Sequence, residues 1–265
     1  MVAIVYDVIR EEEKMLIKAA ERMGIQLRFV KVGEAMDING WEPDVYLIRT
    51  LSHNKGIIAA AVVEGNGGIS VNSSVAIATS WNKAVSLAKL KRAGLPIPKT
   101  TVLFGETDIE IRKRSIVKTV SGSWGRKVAL VSTPEELKLL LRSAEGEVLM
   151  LQEMIGTGED IRIFVVGDRA VAAMRRIPPE GDWRSNAARG GKTLPQDIDG
   201  ELEELAIKAA KAVGAFYAGV DILIGDRLYV NEVNGIPEFK ALTKTTGVDI
   251  ASHIVQMLLE LKKRG

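Results

Sequence analysis

The sequence predicts a mixed α/β (α+β) fold that opens with a small parallel-sheet domain, and three observations predict it. Near the start, short apolar runs alternate with helical segments in βαβ order. In the middle, four strand-length runs surround one helix and a glycine loop. Toward the end, one apolar run carries a carboxylate and a carboxamide two residues apart, which places them on one face of a strand, and a neighbouring run carries another acid.

Residues 2 to 6 read as a buried strand, Glu11 to Met23 as a helix ended by Gly24, Leu27 to Val30 as a strand, and Val45 to Arg49 as another. A second helix then leads into Gly65-Asn66-Gly67-Gly68, and Ile69 to Val71 form a further strand. This pattern implies a Rossmann-like parallel sheet over residues 1–80. Asn82 to Ala93 reads as a helix closed by Gly94, after which Pro96 and Pro98 force an extended exit.

The middle block, residues 81–155, reads strand (Thr100 to Phe104), strand (Ser115 to Val120), glycine loop, strand (Lys127 to Val131), helix, strand (Val148 to Leu151). Its helix starts at a capping box, with Thr133 as N-cap, Pro134 in the first turn and Glu136 three residues on. Over 156–265, strands from Ile161 to Val166 and Ala170 to Arg176 flank a Gly167-Asp168 turn. A polar loop from Pro178 to Pro195, a helix from Glu201 to Val213, the two acid-bearing strands and a final helix from Asp249 to Leu261 complete the chain.

Composition narrows the chemistry. The 265 residues are 46% hydrophobic, enough for packed cores. A formal charge of +2 argues against bulk nucleic-acid binding. No cysteine is present, which removes disulfides, thiolate zinc sites and a thiol nucleophile, and only His53 and His253 are available for imidazole chemistry. No signal-peptide pattern or apolar run of membrane-spanning length is evident, so the reading is a cytoplasmic protein with neither membrane nor nucleic acid as partner.

The acids of the last two strands are the most informative residues. Leu228 to Asn234 delivers Glu232 and Asn234 to one face, and Ala218 to Ile224 puts Asp221 on the neighbouring strand. Any one of them fits an ordinary solvent-facing position of a half-buried hairpin. Three oxygen donors on adjacent runs point to Mg²⁺ shared with phosphates. Ser121-Gly122-Ser123-Trp124-Gly125-Arg126 suits a phosphate-covering flap, because its glycines let backbone N–H groups approach an anion. The same composition also makes a plain turn. Lys118 ends the strand before that loop, and Lys83 sits in the first turn of its helix, where the dipole disfavours a cation unless an anion joins it. Gln152-Glu153-Met154-Ile155 forms a candidate hinge able to read an adenine edge, with Asp160 beyond it for ribose hydroxyls. Arg162, Arg175, Arg176 and Arg189, with Asn186 nearby, supply donors suited to carboxylates or phosphates; Arg162 and Arg176 interrupt apolar strands. No serine–histidine pair or phosphate loop of the Gly-x-x-x-x-Gly-Lys type occurs, which leaves phosphoryl chemistry run by positive charge and Mg²⁺.

In order, Lys83, Gly94-Leu95-Pro96-Ile97-Pro98, Lys118, Gly122 to Arg126, Gln152-Glu153, Asp160-Ile161-Arg162, Asn186-x-x-Arg189-Gly190-Gly191, Asp221 and Asn231-Glu232-Val233-Asn234 resemble the ATP-grasp carboxylate-amine ligases over essentially the whole chain. Within that superfamily the opening Ile4-Val5-Tyr6-Asp7, Ala187 to Gly191, and Glu238-Phe239-Lys240 followed by Thr245 to Ile250 look most like the LysX-type ligases. Those act in lysine and arginine biosynthesis with an acidic amino-group carrier protein, LysW.

The resemblance implies an ATP-grasp fold with a pre-ATP-grasp domain, and a reaction in which ATP phosphorylates the γ-carboxylate of the carrier's C-terminal glutamate. The α-amine of glutamate or α-aminoadipate then displaces phosphate. It further implies that Lys83, Lys118 and the loop Ser121 to Arg126 bind phosphates, Gln152 to Ile155 the adenine and Asp160 the ribose. Asp221, Glu232 and Asn234 would hold two Mg²⁺ ions, and Arg162, Arg175, Arg189 and Asn186 would handle the acylphosphate or substrate carboxylates. Basic residues such as Lys55, Lys240 and Lys244 would guide the carrier's tail, and a homo-oligomer is expected.

One departure bears on substrate choice. Ala187 stands where the lysine-pathway ligases carry threonine, and Gly235-Ile236-Pro237 replaces a more polar stretch. Glutamate and α-aminoadipate differ by one methylene, which a pocket separates by only about 10 to 200-fold. Two other readings remain: a related ligase adding glutamate to a ribosomal protein tail or to a coenzyme, and a nucleotide-binding module without turnover.

Overall fold

The computed structural model describes residues 1–33, 35–42, 44–122, 128–144, 146–181 and 191–264. Its first sheet is parallel, in the order β2-β1-β3-β4, from β1 (Val2–Tyr6), β2 (Leu27–Lys31), β3 (Val45–Ile48) and β4 (Ile69–Val71). The expected βαβ arrangement is realised by α1 (Glu11–Arg22) and α2 (His53–Gly65). Strands β1 and β3 are almost wholly buried, which is why they read as unbroken apolar runs.

Two antiparallel sheets follow. The middle one, β5-β8-β6-β7, comprises β5 (Thr100–Leu103), β6 (Ser115–Thr119), β7 (Val128–Val131) and β8 (Leu149–Glu153), with α5 (Pro134–Ser143) against it. The capping box at α5 forms: Thr133 Oγ1 accepts from Glu136 N at 3.2 Å, and the Glu136 carboxylate accepts from Thr133 N at 3.2 Å. The last sheet, β11-β10-β9-β12-β13, comprises β9 (Asp160–Val166), β10 (Arg169–Ile177), β11 (Lys192–Pro195), β12 (Tyr217–Ile224) and β13 (Leu228–Asn234). Helices α4 (Lys83–Arg92) and α6 (Gly200–Val213) cover one of its faces through Leu87, Leu90, Leu202 and Ala206. The opposite face packs Phe164, Met174 and Tyr217 against α7 (Lys240–Thr246), α8 (Ile250–Arg264) and the first sheet.

Three elements depart from the sequence reading. β11 lies inside the stretch expected to be a polar loop. It is an edge strand of four residues pairing Met174 to Ile177 with Pro195 to Lys192, and its mixed polarity carries no alternation signal. Helices α3 (Ser74–Trp81) and α7 are additional. α3 has only eight residues with β-branched members, so its start shows only in the Ser73 cap, whose side chain accepts from Ala76 N at 3.1 Å.

The first sheet is joined to the last by Asn72, which is fully buried. Its Nδ2 donates to Tyr217 O at 2.8 Å and Gly235 O at 2.7 Å, while Oδ1 accepts from Phe216 N at 2.6 Å and Tyr217 N at 3.3 Å. Arg49, also fully buried, adds an ion pair to Glu13 at 3.0 Å and a hydrogen bond to Pro237 O at 2.6 Å. Replacing Asn72 with alanine strands buried backbone groups, and an unmade buried hydrogen bond costs about 1–3 kcal/mol. Asn72→Ala is therefore expected to lower unfolding stability by ~3 kcal/mol, read as a shift in denaturant midpoint at unchanged m-value. A midpoint equal to that of the parent protein would show that Asn72 is not the joint.

Candidate active site

The site grows from the register of the last sheet. Asp221 on β12 lies opposite both Arg162 on β9 and Glu232 on β13, and Gly219 lies opposite Asn234. Since cross-strand partners share a face, the pairing gathers Asp221, Glu232 and Asn234; alternation foretold the common face of Glu232 and Asn234, and a bulge beside Asp221 brings that residue to it. Gly219 leaves room for Arg162: a Cβ there would sit 2.9 Å from Arg162 Nη1.

Asp221 is almost wholly buried and is gripped by two guanidinium groups. Arg162 engages it bidentately, with Nη2 to Oδ2 at 2.8 Å and Nε to Oδ1, and Arg176 Nη2 reaches Oδ1 at 3.0 Å. Arg176 also makes a two-pronged pair to Asp160, at 2.6 Å and 2.7 Å. Burial alone would raise the Asp221 pKa, but Arg162 and Arg176 outweigh it and hold the carboxyl below its ordinary range. Arg176 is in turn kept firmly protonated, because Asp221 and Asp160 overcome the burial that would lower it.

Two lysines approach the same face from the middle block. Lys118 is buried, with Nζ donating to Gln152 Oε1 at 2.9 Å and to Asn231 Oδ1 at 3.4 Å. Burial pulls its pKa down to about 8; Glu232 and Asp221 raise it and Lys83 lowers it further. Lys83 Nζ donates to Gly122 O at 2.5 Å and stands 3.6 Å from Glu232 Oε1. It opens α4, whose Asn82 cap accepts from Val85 N at 3.1 Å, so its ammonium meets the anion that its place in the first turn requires.

Ser121 O accepts from Thr119 Oγ1 at 2.6 Å. Ser123, Trp124, Gly125, Arg126, Asn186 and Arg189 lie outside the described residues. The hinge residues Gln152, Glu153, Met154 and Ile155 join the two antiparallel sheets, but only Gln152 turns to Lys118; the Glu153 carboxylate accepts from Lys99 N at 2.7 Å. Met154 and Ile155 help line a 580 Å³ cleft with Lys113, Glu159, Arg175 and Tyr229. Neither Lys118 nor Asp221 lines that cleft, so it is offset from the charged cluster.

Arg175 is the residue the structure does not bring to the cluster. It sits opposite Ile161, on the other face of β10, and pairs with Glu159 through Nε at 2.8 Å. A β-bulge between Ala170 and Ala172 causes this by shifting the register one residue, so that Arg176, not Arg175, faces Asp160. A second bulge, between Asp221 and Ile222, leaves Asn231 as the extra residue whose side chain reaches Lys118. Asn231 stands in a sequence motif and Arg176 interrupts an apolar strand, but bulges leave no mark in hydropathy.

The donor set fits a hard cation. Among the described residues no three His, Cys, Asp or Glu side chains gather to hold a metal by themselves; the set here is two carboxylates and a carboxamide, with Asp221 already shared between guanidinium groups. Mg²⁺ is content with one or two carboxylates when phosphate oxygens and water complete its shell. Glu232 and Asn234, both partly exposed, are the donors free of an arginine among the described residues.

Comparisons with known proteins agree with this arrangement. A RimK-like ATP-grasp domain matches residues 80–258, and a LysX preATP-grasp domain matches residues 2–79. An alpha-aminoadipate–LysW ligase LysX of Saccharolobus solfataricus is 33% identical over 96% of this chain and 99% of its own length. A glutamate–LysW ligase ArgX of Sulfolobus acidocaldarius is 31% identical over 96% of both. Among solved structures, the ATP-grasp ligase PsnB with a phosphomimetic precursor variant, Mg and ADP superposes with a TM-score of 0.78 at 20% identity over 98% of each chain. A D-alanine–D-alanine ligase of Bacillus anthracis with ATP gives 0.72 at 17% identity, covering 99% of this chain and 97% of its own. The chain therefore belongs to the RimK-like ATP-grasp ligases, ATP-dependent enzymes, and carries a LysX-type pre-ATP-grasp domain ahead of the catalytic fold.

Proposed function

We propose that the protein joins the α-amino group of α-aminoadipate, glutamate or both to the γ-carboxylate of the C-terminal glutamate of a LysW-type carrier protein, using ATP. The observation that carries this reading is the single charged face on which Lys83, Lys118, Arg162 and Arg176 surround Asp221 and Glu232, beside relatives named for LysW ligation over nearly their full length. In this reading residues 1–80, 81–155 and 156–265 act as three units, and the last two meet over the nucleotide.

Each group has a role that its surroundings allow. Lys83 and Lys118 bind phosphate oxygens, and Glu232 and Asn234, with Asp221, hold Mg²⁺, of which two ions are part of the proposal. When bound, Mg²⁺ neutralises phosphate charge. A carrier carboxylate oxygen forms the bond to the γ-phosphorus as the bond to ADP breaks. The amine nitrogen then attacks the acyl carbon, loses a proton and expels phosphate. Arg162 and Arg176 stabilise the charge on the transferring phosphoryl group because their orientation is set before substrate arrives. Asp160, already paired to Arg176, shares its oxygens with ribose hydroxyls. The hinge Gln152 to Ile155 supports adenine, and the Ser121–Arg126 loop covers the phosphates. Arg189 and Asn186 remain candidates for carboxylate binding.

The deciding experiment supplies purified protein with Mg–ATP, each amino acid separately and a carrier ending in glutamate, and reads ADP release together with carrier mass. A mass gain equal to one amino-acid residue is expected. ADP release without carrier gain, and gain on another glutamate-terminated acceptor, would move the assignment to that acceptor.

Three outcomes follow from the geometry. Glu232→Gln is expected to lower kcat by roughly 10²–10³-fold with an unchanged circular-dichroism spectrum, as for loss of one preorganised charged contact. Near-normal turnover would remove Glu232 from the metal site. Arg176→Ala is expected to cost at least ~10²-fold in kcat while Arg175→Ala stays within a few-fold, the reverse ranking being the result that contradicts the bulge argument. Lys118 is charged below its pKa of about 8 and neutral above it, so ATP binding by the free enzyme should weaken as pH rises through that value. Lys118→Arg, which stays charged, should flatten the profile; an unaltered profile in that variant would assign the titration elsewhere.

A further inference from the structure

We infer that His53, presented by the loop between β3 and α2, binds a substrate carboxylate at the end of the active site. This rests on the ligase reading above and adds to it a residue of the N-terminal domain and a ligand chemistry.

The loop is immobilised from both sides. Asp7 accepts from Leu51 N at 2.8 Å and Ser52 N at 3.1 Å, Arg10 Nη2 donates to Arg49 O at 3.2 Å, and Thr50 Oγ1 donates to Ser52 O at 2.9 Å. α2 and α3 are pressed onto the chain just beyond Asn234. A Cβ at Gly56 would meet Ile236 Cδ1 at 2.9 Å, and one at Gly235 would meet Ser80 Oγ at 2.4 Å. His53, the first residue of α2, therefore has a fixed origin relative to β13.

Its ring is fixed as well. The imidazole stacks on Trp81 with centroids 6.1 Å apart and planes 9° from parallel. Trp81 ends α3, Asn82 caps α4, and Lys83 follows at once, so the stack sets the imidazole beside the Lys83–Glu232 pair. Among the described residues neither ring nitrogen makes a hydrogen bond, although the residue is partly buried. Burial lowers its pKa, the neighbouring Lys83 and Arg10 lower it further and Glu232 raises it; in either protonation state the ring holds an N–H. A half-buried N–H donor beside Lys83 and Arg10, whose charges are shared with Glu232 and Glu13, suits a ligand with acceptor oxygens. Both co-substrates of the ligase carry carboxylates, the free amino acid and the carrier's terminal glutamate, and these are the two sources to separate.

Kinetics separates them. His53→Ala is expected to raise KM about 10-fold or more for one of the two, the size of a lost hydrogen bond to a charged group, with KM for ATP within about twofold. His53→Gln, whose carboxamide can also donate, should recover part of the loss. Equal rises in every KM would mark His53 as merely structural, and unchanged KM for both carboxylate substrates in an active enzyme would overturn the inference. A second measurement needs no turnover. With only His53 and the exposed His253 in the chain, the two ring Cε1–H signals can be followed in Mg–ADP-loaded protein as glutamate, α-aminoadipate or a peptide ending in glutamate is added. A saturable shift of the His53 signal alone is expected with one of them. An unmoved His53 signal at saturation by every ligand rejects carboxylate binding there. Failure of the wild-type protein to modify any carrier, with the His53 shift present, would instead reject the ligase assignment and leave the carboxylate site standing.

Discussion

The rest of the site depends on a buried carboxylate, Asp221, held between Arg162 and Arg176. Such a cluster is expensive to desolvate, and it survives because each charge is both paired and hydrogen-bonded. The geometry is two-sided: Arg162 approaches along β9 and Arg176 from β10, whose second partner is Asp160. Three strands are locked to a common face by side chains rather than by the ladder alone. The consequence for chemistry is orientation. Two guanidinium groups are held in fixed orientation on that face, the preorganisation on which their proposed role rests.

The neighbouring lysines are arranged on a different principle. Lys118 has two carboxamide oxygens for company and no carboxylate within hydrogen-bond reach among the described residues, so burial dominates its titration. An ammonium in that setting gains from an arriving phosphate more than an exposed lysine would, because the anion relieves a desolvation already incurred. Lys83 is already near Glu232 and the Gly122 carbonyl. Its placement depends on the N-terminal domain, since α3 and the Asn82 cap deliver α4 to the sheet. Asn72 and Arg49 fix that domain against β12 and the segment after β13. Arg49 Nη2 and Glu12 Oε2 are nevertheless buried without a hydrogen-bond partner among the described residues, a local cost borne at the joint.

Two bulges translate the regular sheet into a site. An unbulged two-residue hairpin around Gly167-Asp168 would set Arg175 opposite Asp160; the irregularity after Ala170 gives that place to Arg176. The second, beside Asp221, frees Asn231 from the ladder and aims it at Lys118. Bulges next to functional groups commonly re-aim one side chain without altering the fold around it. Here they decide which of two adjacent arginines faces Asp160 and Asp221.

Taken alone, the sequence determined the order and type of most elements, the parallel opening sheet, the capping of α5 and the common face of Glu232 and Asn234. Those features follow from local periodicity and caps, which act over a few residues and are written in them. It also carried the motifs that resemble the ATP-grasp ligases. What only the tertiary structure decided are matters of phase and neighbourhood: Arg176 in place of Arg175, Asp221 opposite Glu232, Asn231 beside Lys118, the short α3, α7 and β11, and His53 brought near Glu232 from a distant part of the chain. Side chains on a strand alternate with a period of two, so a single extra residue reverses which face a side chain meets. That reversal is set by pairing with a distant strand, and no window of the sequence contains both partners.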